Sequence, residues 1–210
     1  MVQRGIANTF IVEADFIGSD SVCLALGNNI FFGPAFAEKV RAVAEGLEEG
    51  AVIFGYYVED PRPFGVVEFD VSGKAMSIEE KPAEPKSNYI VPGLYFYDNE
   101  VVRIAAEVKP SARGELEITS VNNAYLEKGE LQVLALGEEY LWFDAGTADS
   151  LYVAAGEIRE AQKVSGKMIG CLEEIALENG WITAEQVRDA AERMKKTRYG
   201  EYLMGVAERE

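Results

Sequence analysis

The sequence predicts an α/β fold that ends in a helical segment, and three observations carry this. Apolar runs of strand length recur at residues 22–26, 51–57, 65–69, 90–97, 131–136 and 140–143. Between them lie stretches with apolar residues at helical spacing, at 34–49, 101–105 and 116–125. Beyond residue 147 the pattern is almost entirely helical. We expect residues 1–165 to form the α/β domain. Residues 166–210 are expected as a helical C-terminal segment packed on it within the same structural unit.

Residues 5–16 place Ile6, Phe10, Ile11 and Phe16 among polar positions, which suits a short helix. Val22-Cys23-Leu24-Ala25-Leu26, ended by Gly27-Asn28-Asn29, has the unbroken apolarity of a fully buried parallel strand. Ligands of α/β sheets sit beyond the carboxyl ends of such strands. Phe36, Val40, Val43 and Leu47 set a helix over 34–49 with Gly50 at its exit, and residues 51–57 follow as a second buried strand. Asp60-Pro61-Arg62-Pro63 is a stiff turn. Gly65 to Phe69 is β-rich and ends in the turn signal Asp70-Val71-Ser72-Gly73; a second run ends in Glu79-Glu80-Lys81-Pro82. A proline-punctuated loop then leads to the apolar run 90–97.

Val101, Val102, Ile104 and Ala105 mark a helix that closes before Lys109-Pro110. Arg113-Gly114-Glu115 is expected to open the next, which carries Leu116, Ile118, Val121, Asn122 and Tyr125 and ends at Gly129. Residues 131–136 alternate as a strand. Tyr140 to Phe143 form another, terminated by Asp144-Ala145-Gly146-Thr147, a strand-to-helix corner in which Thr147 can cap. Leu151, Ala154, Ala155 and Ile158 share one face of a helix over 147–164. A short strand at 167–170 and a short helix at 171–178, closed by Asn179-Gly180, come next. Thr183-Ala184-Glu185-Gln186 is a capping box for a helix through Val187, Ala191 and Met194, and 199–210 is the last helix.

Composition excludes several function classes. At 210 residues the chain can bury a substantial core. Its net charge of −16, with no Lys/Arg cluster, argues against a nucleic-acid or anionic-membrane partner. The absence of histidine removes His-based triads and His metal sites. Cys23 and Cys171 lie far apart in apolar settings, the pattern of buried free thiols in a reducing cytoplasm. No signal-peptide core opens the chain and no apolar run is long enough to span a bilayer, so a cytoplasmic protein is expected. None of the 20 glycines builds a Gly-x-Gly-x-x-Gly or Gly-x-x-x-x-Gly-Lys-Ser/Thr phosphate loop.

The chemistry centres on Glu80-Lys81, held on a loop between strands. A carboxylate accepts from hydroxyls and an ammonium sits on a phosphate as a point charge, so the pair suits a small ligand with several hydroxyls and an anionic group. A solvated hairpin loop is the alternative reading of these two residues alone.

Five blocks extend that reading: Phe64-Gly65-Val66-Val67-Glu68-Phe69, Glu79-Glu80-Lys81-Pro82, Pro85-Lys86-Ser87-Asn88, Gly93-Leu94-Tyr95-Phe96-Tyr97-Asp98 and Arg113-Gly114-Glu115-Leu116-Glu117-Ile118-Thr119. In order and spacing they resemble the glucose-1-phosphate thymidylyltransferase family of sugar nucleotidyltransferases, which make dTDP-glucose on the way to dTDP-rhamnose. The resemblance implies a Rossmann-like three-layer nucleotidyltransferase sandwich, here lacking its first βαβ portion and the glycine-rich loop that holds the nucleoside triphosphate. It implies Mg²⁺ as cofactor, glucose 1-phosphate and a thymidine nucleotide as ligands, and a homotetramer. Purine- or uridine-specific relatives remain open, although the blocks look most like the thymidylyl branch.

Residue by residue, the resemblance assigns Lys81 and Arg113 to catalysis at the phosphate. It assigns Gly5, Phe64, Gly65, Glu80, Lys81, Val91 and Arg113 to substrate binding. Gly5 takes the place of a glycine beside the nucleotide, and Gly65 and Val91 contact the sugar through their backbones. Asp144 takes the place of one magnesium ligand. Asn28 stands where the other ligand is an aspartate, and supplies only a neutral carbonyl oxygen. Phe32, Gly33, Glu174 and Ile175 take the places of a regulatory nucleotide site. Two functions follow as expectations: a thymidylyltransferase with little activity as an isolated chain, or a non-catalytic binding or regulatory subunit that joins a complete homologue through the exposed edge of residues 22–26.

Overall fold

A computed structural model describes residues 5–209 of the chain. The chain divides into two compact units, the first reaching Leu151 and the second beginning at Tyr152.

The first unit is built on β1 (Val22–Ala25), β3 (Ala51–Tyr57), β4 (Gly65–Phe69), β5 (Ala75–Glu80), β6 (Tyr89–Ile90), β7 (Leu94–Tyr97) and β8 (Leu131–Ala135). These strands form one seven-stranded sheet, and β2 (Asn29–Phe32) and β9 (Leu141–Asp144) form a second, two-stranded one. Alternation along β3 and β7 sorts the core into two faces. Ile53, Tyr95 and Tyr97 face one side, with α1 (Asn8–Val12), α2 (Ala14–Ile17), α4 (Glu100–Glu107) and α5 (Ile118–Lys128) supplying Phe10, Ile17, Val101, Ile104, Val121 and Tyr125. Val52, Phe54, Leu94 and Phe96 face the other, under Phe36, Val40 and Val43 of α3 (Phe36–Gly46). The result is the expected three-layer sandwich.

The sheet forks at residues 91–93. Proline and glycine interrupt the predicted 90–97 strand there, leaving β6 and β7 as two pieces that both pair with β3. On the far side, β6 takes β4 as its neighbour while β7 takes β1. Val91 N–H donates to the Gly65 carbonyl at 2.8 Å, and Leu26 N–H to the Gly93 carbonyl at 2.9 Å, so both prongs are tied at the fork.

Several expectations are corrected. Residues 22–25 are not a buried parallel strand: β1 runs antiparallel to β7 at the end of the sheet, with exposed and partly buried residues alternating. One face of β1 is uncovered, so Cys23 is exposed; both thiols are free and only Cys171 is buried. Residues 29–32 form β2, a strand the sequence pattern did not signal, because its order comes from pairing with β9, 109 or more positions away. Helix α3 is shorter than 34–49. Arg113-Gly114-Glu115 does not open a helix: Gly114 takes φ +79° in a turn, and α5 begins at Ile118. Of the apolar face foreseen on α6 (Ala148–Ser165), only Ala154 is buried. Residues 167–170 form no strand.

The second unit continues α6 and adds α7 (Leu172–Glu178), α8 (Ala184–Arg193) and α9 (Arg198–Ala207). Cys171, Leu177, Val187, Ala191, Leu203, Val206 and Ala207 form its core. The capping box at Thr183 is realised: its side chain accepts from Gln186 N–H, and Gln186 Oε1 accepts from Thr183 N–H at 2.9 Å. No described helix is long and apolar enough to cross a membrane.

Candidate active site

A cavity of about 230 Å³ opens at the fork of the sheet. The end of β1 supplies Leu26, the start of β4 Gly65, the fork itself Val91 and Gly93, and α5 supplies Ile118, Thr119 and Asn122. Of the substrate residues expected from the sequence, Phe64, Gly65, Glu80, Lys81 and Val91 line it, together with Asn28 and Asp144.

Glu80 ends β5 and organises the polar wall. Thr119 Oγ1 donates to its Oε2 at 2.5 Å. Its Oε1 lies 4.0 Å from Lys81 Nζ and 3.6 Å from Arg113 Nη2. Lys81 adopts φ +47°, a left-handed conformation that costs an L-residue with a Cβ about 1–2 kcal/mol. The strand pairing holds it there, through Lys81 N–H donating to the Phe64 carbonyl at 2.9 Å. The ammonium is half exposed and makes only this long contact among the described residues, so it is available to an anion.

Arg113 does not line the cavity. Its guanidinium donates to Glu117 Oε1 from Nη2 at 2.9 Å and from Nε at 3.2 Å, with Glu115 3.5 Å away. Hydrogen bonding to Glu117 pushes its already high pKa further up. Arg113 therefore meets the cavity through Glu80, and reaching a bound phosphate requires it to leave this carboxylate cluster. Of the Val91 backbone expected to contact the sugar, the N–H donates to the Gly65 carbonyl. Gly5 lies outside the cavity lining, although its neighbour Ile6 belongs to it. At φ +90°, a side chain at Gly5 would sit 2.4 Å from the Leu116 carbonyl, so close backbone approach alone requires glycine here.

The opposite wall is a relay of amides. Trp142 Nε1 and Gly93 N–H both donate to Asn29 Oδ1, at 2.7 and 2.8 Å. Asn29 Nδ2 donates to Asn28 Oδ1 at 3.1 Å, and Asn28 Nδ2 donates to Asp144 Oδ1 at 2.6 Å. Gly146 N–H adds a bond to the same Asp144 oxygen at 3.1 Å. The β2–β9 register sets Asn29 opposite Asp144 and thereby brings the two expected metal positions together. In this arrangement the Asn28 carbonyl accepts from Asn29 and its amide donates to Asp144. Among the described residues no group of three or more acidic or thiol side chains could hold a metal ion. A divalent ion here would rest on Asp144 alone, which suits Mg²⁺ only where ligand phosphates and water complete its shell.

Sequence reasoning passed over Thr119, Asn122, Tyr95, Asn29 and Trp142 as site residues, yet all five line the cavity. A signal existed for two of them. Thr119 and Asn122 are polar residues three apart on the otherwise apolar face of α5. Phe64 and Trp142 meet edge-to-face, ring centroids 5.3 Å apart, as an aromatic wall.

The residues expected at a regulatory site are placed as follows. Phe32 ends β2 opposite Leu141, and Gly33 abuts the Tyr140 ring so closely that a Cβ would lie 2.4 Å from it. Glu174, in the second unit, is buried; it accepts from Tyr202 Oη at 2.5 Å and from Arg209 Nη1 at 3.3 Å. Ile175 is exposed.

Comparison with known proteins bears on the family and the fold. The family described as nucleotidyl transferase matches residues 1–161. A glucose-1-phosphate thymidylyltransferase of Neisseria gonorrhoeae is 50% identical over 200 residues, covering 95% of this chain and 69% of the relative. One from Mycolicibacterium smegmatis is 48% identical over 207 residues, covering 99% of this chain and 71% of the relative. A crystal structure from Bacillus anthracis, described as a glucose-1-phosphate thymidylyltransferase in complex with a sucrose, superposes with TM-score 0.65 at 41% identity. That match covers 74% of this chain and 61% of the solved one. A UDP-glucose pyrophosphorylase, 16% identical, shares the fold with TM-score 0.64, over 77% of this chain and 64% of its own. By sequence and by architecture, the chain belongs to the nucleotidyl transferase family.

Proposed function

We propose that the chain carries the sugar-phosphate half of a glucose-1-phosphate thymidylyltransferase site. In that reaction a phosphate oxygen of glucose 1-phosphate attacks the α-phosphorus of dTTP and pyrophosphate leaves, giving dTDP-glucose. The observation that carries the reading is the Thr119–Glu80–Lys81 arrangement at the sheet fork. Glu80 accepts from ring hydroxyls, the Phe64–Trp142 wall packs against the apolar face of the ring, and Lys81 faces the phosphate. Arg113 supplies a second cation when the phosphate competes with Glu117 for it. Positioning and charge neutralisation are the protein's share in such a displacement. Bound at Asp144 and the nucleotide's own phosphates, Mg²⁺ would add Lewis-acid neutralisation of developing charge.

The chain spans 61% of the solved Bacillus anthracis protein and contains no glycine-rich phosphate loop, so its turnover as an isolated chain is expected to be low. A second reading is favoured by β1, which pairs only with β7 among the described strands and presents a free edge. On that reading the chain is a binding or regulatory subunit that joins a complete homologue or its own copies in the cytoplasm, within a dTDP-rhamnose pathway.

Isothermal titration with glucose 1-phosphate and with dTDP, on chain shown by circular dichroism to be folded, tests both readings. Binding of glucose 1-phosphate supports the site. A folded chain that binds dTDP alone favours the regulatory subunit, and one that binds neither sinks both.

A further inference from the structure

Glu80 Oε1 has two cations beside it, and they differ in what else they hold. Lys81 Nζ makes only its 4.0 Å contact to Glu80 among the described residues. Arg113 Nη2, 3.6 Å from the same oxygen, is bound elsewhere. Glu117 Oε1 accepts from its Nη2 at 2.9 Å and from its Nε at 3.2 Å, and Glu115 lies 3.5 Å away. Three carboxylates therefore surround one guanidinium.

Glu117 holds it most firmly of the three. Its two bonds are shorter than the contacts of Glu80 and Glu115, and it is buried whereas Arg113 is half exposed. Ser111 fixes it from behind: its Oγ accepts from Arg113 N–H at 3.2 Å and donates to Glu117 Oε1 at 2.8 Å. The turn itself is closed by Ser111 N–H to the Glu115 carbonyl and Gly114 N–H to the Ser111 carbonyl, each at 2.8 Å. A buried carboxylate that loses its cation is costly, so the unliganded chain keeps Arg113 on Glu117. The long, half-exposed arginine nevertheless already touches Glu80, which lines the cavity beside Lys81. A phosphate can compete for it, because it offers a guanidinium two charge-assisted bonds; a neutral sugar ring offers none.

Resting on the sugar-phosphate reading above, we propose that Glu117 is a positioning residue that holds Arg113 in reserve and thereby limits the affinity of the cavity for a sugar phosphate. Arg113 turns to the cavity only when a phosphate replaces Glu117 as its partner.

The test is isothermal titration of glucose 1-phosphate into the wild-type chain, Glu117→Gln, Arg113→Met and the double variant. Glutamine keeps the size of Glu117 and an acceptor for Ser111 but gives up the charge. Glu117→Gln is expected to bind about fivefold or more tightly than the wild type, and the same substitution to change affinity by less than about twofold in the Arg113→Met chain. Simple removal of a negative charge near the phosphate would give equal gains in both. If a variant does not fold, the ¹⁵Nε–H resonance of Arg113 in the wild type supplies the readout, and it should move on addition of glucose 1-phosphate. Binding that Glu117→Gln leaves unchanged or weakens, that it strengthens equally without Arg113, or that leaves the Arg113 resonance unmoved overturns the inference and leaves the site reading standing. A folded wild type that binds no glucose 1-phosphate removes the reading and the inference together.

Discussion

In the cavity of the first unit, hydrogen bonds join residues 39 positions apart (Thr119 to Glu80), 64 apart (Gly93 to Asn29), 113 apart (Trp142 to Asn29) and 116 apart (Asn28 to Asp144). In the second unit, the starts of α8 and α9 are closed by bonds from Thr183 and Thr197 that span three positions. The first unit thus assembles a polar site whose parts have no meaning until the sheet is complete. The second unit writes its helices locally and then covers a small apolar core. Its longer polar contacts, Tyr199 to Glu173 and Tyr202 to Glu174, tie helices already defined by caps and spacing.

That contrast can be broken or sharpened by substitution. The largest effect is expected at Leu203, fully buried in the second unit. Leu203→Ala should cost about 2–5 kcal/mol of stability, read from chemical denaturation followed by circular dichroism. A loss near zero would show that the helices stand on local signals alone. Next comes Thr119→Val, which removes the donor that orients Glu80. Bonds to charged groups contribute about 1.5–3 kcal/mol, so glucose 1-phosphate affinity should fall about tenfold or more, and Thr119→Ser should restore it. Equal losses in the Val and Ser variants would mean that Thr119 matters only for packing.

Thr183→Ala removes one cap of a local kind and should cost about 1 kcal/mol, seen as earlier hydrogen exchange in the first turn of α8. The smallest effect is expected at the exposed Asn28–Asp144 contact. Asn28→Asp replaces a donor by a second carboxylate beside Asp144. It should lower thermal stability by about 1 kcal/mol or less in chelator, with recovery in Mg²⁺, whereas the wild type melts alike in both. Magnesium dependence of the wild-type melt would show that Asn28 does not replace a cation at Asp144.

Much of the fold is legible because it rests on local pattern. Strands β3 and β4, the exit of α5 at Gly129 and the Thr183 capping box all fall where periodicity and turn chemistry put them. The failures share one cause. Residues 22–26 carry the apolarity of a buried strand, but β1 ends the strand order and only one of its faces is partly covered. Residues 29–32 have no strand signal of their own and are ordered by β9. Arg113 stands in a recognisable block, but its engagement with Glu117 follows from where α5 starts.

By itself the sequence determined the α/β class, the helical C-terminal region, the family, and Glu80 and Lys81 as the chemical centre, because these depend on residue types and short spacings. Tertiary structure alone decided that Thr119 orients Glu80, that Asn28 and Asn29 brace Asp144 and Trp142, and that the Asn122 amide is buried with no acceptor for its Nδ2 among the described residues. Those features depend on strand order, register and burial. Burial gives a lone amide its consequence, and no stretch of sequence contains it.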